Sequence, residues 1–125
     1  MMVIVNDANI LIDLLKMDLL ETFFRLPFKF HVTDLAAGEI LEKNVDQLHG
    51  CISDGTILKR SFTFEELQDI STVQDTHPGL SLADCSCVFL STRLSATLLT
   101  GDAVLRRAAE RTGITDGSLE VGTAT

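Results

Sequence analysis

Two aspartates directly follow predicted buried strands, and they are the first candidates for chemistry. Asp7 comes after the apolar run at residues 2–5, and Asp102 comes after the apolar run at residues 96–100. In open parallel sheets, ligands collect at the carboxyl ends of the strands, where both side chains would lie. An acidic site of this kind acts on phosphate groups only after it has bound divalent cations, which invert its local charge. Either residue alone is also a preferred helix N-cap, so its position is compatible with both roles.

Asp84 lies in the most apolar predicted helix of the chain. Between residues 80 and 94, Asp84 and Arg93 are the only charged side chains. An ionised carboxylate in apolar surroundings is unfavourable unless a cation or hydrogen bonds compensate for its burial. The spacing Ser81-x-x-Asp84 also matches a capping box, which would place the acid in the first turn of the helix. The two roles are compatible.

Glu39 is the fourth candidate, in a predicted helix and next to the apolar residues Ile40 and Leu41. A surface ion pair with Lys43, four positions later, is an alternative role for it. Glu42 lies three positions further along and competes with Glu39 for the same function.

Hydrophobic periodicity and turn signals predict alternating strands and helices. The predicted strands are residues 2–5, 28–32, 56–62, 96–100 and a last short one at 117–121. One predicted helix starts at Asn9, and the others cover residues 18–25, 34–47, 63–73, 80–94 and 102–111. A capping box at Thr63-x-x-Glu66, a turn at Asp54-Gly55 and a stop at Gly113 mark boundaries. This order indicates one α/β domain, a central parallel sheet with helices on both faces.

Composition narrows the class of protein. The chain has 125 residues, 46% hydrophobic and 22% charged, which is typical of one globular domain rather than a disordered chain. A net charge of −8 argues against a nonspecific polyanion binder but not against a nucleic-acid enzyme that uses cations. No apolar stretch approaches the roughly 20 residues of a membrane span, and no export signal is evident, so we expect a cytoplasmic protein without membrane contact.

The cysteines and histidines offer no alternative site. Cys51, Cys85 and Cys87 make an odd count, which favours a reducing compartment, and the last two lie in an apolar stretch where free cysteine acts as a small hydrophobe. The three histidines (His31, His49 and His77) share no zinc-ligand spacing with them.

Four segments together resemble the PIN-domain family. They are Val5-Asn-Asp7-Ala-Asn9-Ile-Leu, Glu39-Ile-Leu, Leu80-Ser-Leu-Ala-Asp84-Cys-Ser-Cys and Leu98-Leu-Thr100-Gly-Asp102-Ala-Val-Leu-Arg106. The likeness spans residues 3 to about 121, and the segments around Asp84 and Asp102 are its most specific parts. It implies a PIN-like sheet with the first and fourth strands adjacent. It also implies that Asp7, Glu39, Asp84 and Asp102 converge in one cleft.

The resemblance further implies that the four acids hold Mg²⁺ or Mn²⁺, which suits their hard oxygen ligands. Asn9 and Thr100 would position the acids or hold water, with helix capping and turn formation as equally weighted alternatives. Arg106 and Arg107, on the helix after Asp102, would hold the RNA backbone. Arg93 and Arg111 are further basic candidates; a solvated helix face is the better interpretation of Arg111.

By the same resemblance, the chain is a metal-dependent endoribonuclease like the toxin of a bacterial toxin–antitoxin pair. Such a protein would cut RNA, bind an antitoxin protein and form a homodimer. The apolar side chains Leu19, Leu20, Phe23 and Phe24 would supply the dimer surface unless they complete the core. Family members continue into another helix, so we expect the last helix of a domain spanning residues 1–125 to be missing or shortened.

Two other classes remain as alternatives. A noncatalytic PIN-like interaction module would keep the fold and a partner surface without cleaving RNA. A phosphoacceptor receiver domain is disfavoured, because no paired acids end the first strand and Asp54-Gly55 indicates a turn.

Overall fold

The computed structural model describes residues 2–43 and 45–111. Within them the chain forms four strands and seven helices in alternating groups. The elements are β1 (Met2–Asn6), α1 (Ala8–Lys16), α2 (Leu20–Phe24), β2 (Phe28–Thr33), α3 (Asp34–Glu42), α4 (Asp46–Ser53), β3 (Ile57–Arg60), α5 (Phe64–Thr76), α6 (Leu82–Leu94), β4 (Thr97–Leu99) and α7 (Ala103–Arg111).

The strands form one parallel sheet in the order β3-β2-β1-β4. β1 therefore lies beside both β2 and β4, and the strand order reverses between β1 and β4. This adjacency confirms the predicted arrangement of the first and fourth strands. Ligand crevices in parallel sheets lie at such a switch point, outside the carboxyl ends of the strands.

Helices cover both faces of the sheet, as predicted. Side chains alternate between faces along a strand, so Phe30 and Thr33 of β2 point to opposite sides. On one face, the Thr33 hydroxyl oxygen accepts a hydrogen bond from Ser86 of α6. On the other face, Phe30 packs against Phe23 of α2, with ring centroids 4.8 Å apart. Fully buried side chains such as Val5, Val32 and Leu98 fill the space between these layers.

The prediction of one helix over residues 34–47 is wrong. The segment forms α3, which ends at Glu42, and α4, which begins at Asp46. α3 packs against α1 and α6 as well as β2 and β3, whereas α4 packs against β3 and α3. Each helix buries its own apolar residue, Ile40 in α3 and Leu48 in α4. Helical periodicity runs across the boundary, but the two helices pack against different sets of elements.

The second helix is shorter than the predicted range of 18–25. Asp18 has a φ of 58°, which lies in the left-handed region and cannot belong to a right-handed helix. Leu20 and Phe23 then enter the core, at 2% and 7% exposure. Half of the proposed dimer surface is thus internal packing, the alternative considered above, and Leu19 stays exposed.

Two local predictions are confirmed. Thr63 and Glu66 form a capping box at the start of α5, and Gly55 has a φ of 87° in the turn after α4. No helix among the described residues is long and apolar enough to cross a membrane. The predicted strand at 117–121 and the stop at Gly113 lie outside the described residues.

Candidate active site

Asp7 occupies the centre of the candidate site. It follows β1, precedes α1, and is only 4% exposed. Its backbone N–H donates to the carbonyl oxygen of Leu99 (3.0 Å), which extends the pairing of β1 with β4. The Thr100 hydroxyl donates to Asp7 Oδ2 at 2.8 Å. The carboxylate is therefore held at the carboxyl edge of the two central strands.

Thr100 connects Asp7 to Asp102. The backbone N–H of Asp102 donates to Thr100 Oγ1 (3.0 Å), so one buried hydroxyl contacts both residues. Asp102 Oδ1 accepts from the backbone N–H groups of Val104 (2.8 Å) and Leu105 (3.2 Å) at the start of α7. Asp102 is thus a helix cap, as the alternative interpretation expected. The cap engages only one carboxylate oxygen.

Asp84 has the predicted place in a capping box. Its backbone N–H donates to Ser81 Oγ (3.0 Å), and its Oδ2 accepts from the Ser81 backbone N–H (3.1 Å). The side chain is half-buried in the first turn of α6. As in Asp102, the cap uses one of the two carboxylate oxygens.

The fold places Glu39, Asp84 and Asp102 within electrostatic range of Asp7. Burial raises the pKa of Asp7, the Thr100 hydrogen bond lowers it, and the negative charges of Asp84 and Asp102 raise it further. Burial also raises the pKa of Glu39, and the charges of Asp7 and Asp84 add to that increase. The four carboxylates therefore lie in one electrostatic field.

Glu39, rather than Glu42, faces this cluster. Glu39 is half-buried and is affected by Asp7 and Asp84 more strongly than by Glu42, its neighbour on the helix. Glu42 is exposed near the end of α3. Within the described residues, Glu39 forms no ion pair with Lys43; the ion pair present joins Arg25 and Glu21.

The buried Thr33 side chain connects the helices that carry Glu39 and Asp84, and the sequence alone did not identify it as part of the site. Thr33 Oγ1 accepts from the backbone N–H of Ala36 (3.0 Å) and from the Ser86 hydroxyl (2.8 Å). This contact joins the helix carrying Glu39 to the helix carrying Asp84. Burial raises the pKa of the neighbouring Cys87 thiol, and the charges of Asp7 and Asp84 raise it further. Thr33 preceding a helix was the one available signal, since Thr is a common N-cap.

The side chains of the four acids do not form a complete set of metal ligands in this arrangement. Among residues 2–43 and 45–111, no group of three or more His, Cys, Asp or Glu side chains is arranged to hold a metal ion. The caps explain part of this, because Asp84 and Asp102 each direct one oxygen to backbone N–H groups. The three cysteines are free, with Cys85 and Cys87 buried.

A family model described as DUF3368: PIN domain matches residues 3–121. The chain belongs to the PIN-domain family. PIN domains are generally nucleases, and this PIN domain therefore has a nuclease-type fold. No curated protein matches the chain.

The remaining predicted residues of this PIN domain lie on α1, α6 and α7. Asn9 is exposed in the first turn of α1, two residues after Asp7. Arg106 is half-buried and Arg107 exposed, both on α7 immediately after Asp102. Arg93 lies near the opposite end of α6 from Asp84, with its Cζ atom 4.9 Å from the centre of the Phe89 ring. Arg93 is therefore separated from Asp84 by most of the length of α6.

Proposed function

We propose that this PIN domain is a Mg²⁺- or Mn²⁺-dependent endoribonuclease whose metal is held by Asp7, Glu39, Asp84 and Asp102. The observation that carries the proposal is the buried Asp7 carboxylate, whose pKa is raised by burial and by the charges of Asp84 and Asp102. Such a cluster is unfavourable in its ionised form, and a bound divalent cation would reverse the local charge.

The donor set fits a hard cation. Carboxylate oxygens are the ligands that Mg²⁺ prefers, and Mg²⁺ keeps several waters, so it needs only one or two direct protein ligands. Capping leaves one oxygen each of Asp84 and Asp102 outside the backbone hydrogen bonds. A water-rich Mg²⁺ site is therefore compatible with the absence of a tight cage among the described residues.

The protein's own groups would then have distinct tasks. When bound, the ion supplies neutralisation of phosphate charge and activation of the attacking water. Thr100 holds the Asp7 carboxylate in place through its 2.8 Å hydrogen bond. Asn9 lies close enough in the chain to hold water beside Asp7, and Arg106 and Arg107 lie on the helix that Asp102 caps, where guanidinium groups can contact RNA phosphates.

The biological setting we propose is a toxin of a bacterial toxin–antitoxin pair, with RNA as substrate, an antitoxin protein as inhibitor and a homodimer as the assembly. Light scattering of the full chain tests the dimer. A noncatalytic PIN-like module is the second candidate, and the observation that favours it is the capping role already filled by Asp84 and Asp102.

The substitutions Asp84→Asn and Asp102→Asn separate the two candidates. At the N-cap position of Asp102, Asn serves about as well as Asp, so a pure cap should lose at most a few tenths of a kcal/mol there and no activity. At Asp84, in the first turn of α6, a purely structural acid should lose only its interaction with the helix dipole, about 0.3–1 kcal/mol, and again no activity. A metal ligand should lose Mg²⁺-dependent RNA cleavage, while the metal-free variant stays as stable as the parent or becomes more stable through relief of like-charge repulsion. Added Mg²⁺ should raise the melting temperature of the parent and hardly that of the variants.

Asp46→Asn is the matched control, because Asp46 is an exposed acid in the first turn of α4. It should keep the full Mg²⁺ response. Equal Mg²⁺ shifts in the parent and both site variants, or RNA cleavage that persists in EDTA, would exclude this metal site.

A further inference from the structure

A row of basic side chains lies on the outer part of the sheet, apart from the acids. Lys29, His31 and Thr33 are spaced two residues apart along β2, so their side chains lie on the same face of the sheet. Arg60, at the end of β3, pairs with Thr33 and lies on that face as well. Lys29 and Arg60 are exposed, as is 39% of Leu58, which pairs with His31. This corner of the sheet is therefore open to a ligand.

Arg93 of α6 adds a third cation to the same face. Its guanidinium lies over Phe89, and the Phe89 ring packs edge-on against Phe62, with centroids 5.8 Å apart, just after β3. The backbone N–H of Thr63 is the main cause of the lowered pKa of Glu66, and the charges of Arg93 and Arg60 lower it further. Both arginines thus lie near Glu66. We call Lys29, Arg60 and Arg93 the basic strip.

One end of the basic strip lies at the same edge of the sheet as the acids. Val5 of β1 pairs with His31, Thr33 ends β2, and Asp7 follows β1 directly with an extended backbone. Asp7 and Thr33, each two residues beyond that pair, therefore lie at the same edge of the sheet. Thr33 in turn pairs with Arg60. Arg60 is therefore two strands away from Asp7 at the same edge, on the order of 10 Å at the usual strand spacing.

The charge of the strip contrasts with the rest of the molecule. The chain carries 18 acidic and 10 basic side chains, for a net charge of −8. Within the described residues, none of the three cations of the strip is in a salt bridge. An exposed cluster of cations outside any salt bridge, on an acidic protein, is suited to an anionic ligand, because the remaining surface would repel it.

We propose that the basic strip binds the phosphate backbone of single-stranded RNA and directs the strand along the β2–β3 face into the acid cleft. This rests on the proposed ribonuclease function and names a substrate-binding surface separate from Arg106 and Arg107. An extended polyanion fits better than a small anion, because Lys29 and Arg60 lie at opposite ends of their strands, about 13 Å apart at 3.3 Å per residue.

Binding of a fluorescein-labelled oligouridine, followed by fluorescence anisotropy over a series of NaCl concentrations in EDTA, tests the proposal without cleavage. For single strands, the slope of log affinity against log salt becomes shallower by about 0.7 for each phosphate that the protein no longer neutralises. The double variant Lys29→Gln/Arg60→Gln should therefore have a slope shallower by about 1.4 and bind more weakly at every salt concentration. Arg60→Lys should keep most of the binding, because neutralising a backbone phosphate requires charge rather than a fixed shape.

Lys16→Gln/Arg25→Gln is the matched control, with the same change in net charge at exposed positions of α1 and the end of α2. It should bind as the parent does. Equal slopes for the strip and control variants, no binding by the parent, or binding of oligoglutamate as tight as that of oligouridine would overturn the proposal, the last in favour of an acidic peptide.

Cleavage with Mg²⁺ distinguishes the two proposals. If the parent binds RNA through the strip but never cleaves it, the ribonuclease proposal fails and the strip stands. If the parent cleaves and the strip variant binds and cleaves identically, the strip proposal alone fails.

Discussion

Thr100→Val is the substitution that most directly tests how the site is held together. The Thr100 hydroxyl donates to Asp7 Oδ2 (2.8 Å) and accepts from the backbone N–H of Asp102 (3.0 Å), and both Thr100 and Asp7 are buried. Valine preserves the shape of the side chain and removes the hydroxyl. Thr100→Ser is the matched control, since it keeps the hydroxyl and removes only a methyl group.

The magnitude follows from the kind of bond that valine removes. A hydrogen bond to a charged group contributes about 1.5–3 kcal/mol, and here water cannot readily replace the donor. At about 4 °C per kcal/mol for a domain of this size, the valine variant should melt roughly 6–12 °C below the parent. The serine variant loses one buried methyl group, which costs about 1 kcal/mol, or roughly 4 °C.

The effect should depend on pH in a definite direction. The Thr100 hydrogen bond lowers the pKa of Asp7, which burial raises above its ordinary value of 3.8. Without the hydroxyl that pKa rises further, so the folded state tolerates the ionised carboxylate less well. The extra destabilisation is fully present above the folded pKa values of both proteins and is lost as the pH falls toward 3.8, because Asp7 is then protonated in both folded proteins.

Chemical denaturation of the parent and both variants in EDTA, from neutral pH toward acid, measures this difference. The valine variant should lose more stability than the serine variant near neutral pH, and the gap should narrow in acid. Equal losses for the two variants at neutral pH, or a gap that does not change with pH, would refute the inferred link between Thr100 and the Asp7 charge.

Two further predictions concern individual acids. Asp7→Asn should stabilise the metal-free protein near neutral pH by on the order of 1–2 kcal/mol, because a neutral amide replaces a buried charge. Urea denaturation in EDTA should show this gain in stability shrinking as the pH falls toward 3.8, because the parent Asp7 becomes protonated. A gain that stays constant with pH would contradict the prediction. Glu39→Gln should reduce Mg²⁺-dependent RNA cleavage at least tenfold, equivalent to about 1.4 kcal/mol, whereas Glu42→Gln should leave cleavage unchanged; similar rates for the two variants would remove Glu39 from the site.

Local features of this protein followed from the sequence by itself. The capping boxes at Ser81-x-x-Asp84 and Thr63-x-x-Glu66, the turn at Gly55 and the strand before Asp7 all depend on residues within a few positions of one another. Their hydrogen bonds close within a single turn or strand end, so residue type and spacing are sufficient to predict them. The parallel sheet followed as well, because alternating strands and helices leave few ways to cover both faces.

Tertiary structure decided which of these side chains meet. Residues 34–47 have helical periodicity throughout, but they form two helices, of which α3 packs against α1 and α6 as well as the sheet and α4 packs against β3 and α3. Glu39 and Glu42 lie on one helix in similar local sequence, and the position of that helix against α6 brings Glu39 into the field of Asp7 and Asp84. Arg93 and Arg60, more than thirty positions apart in the chain, come together near Glu66 by the same means. Contacts between distant segments depend on how whole elements pack, and no short sequence pattern encodes that.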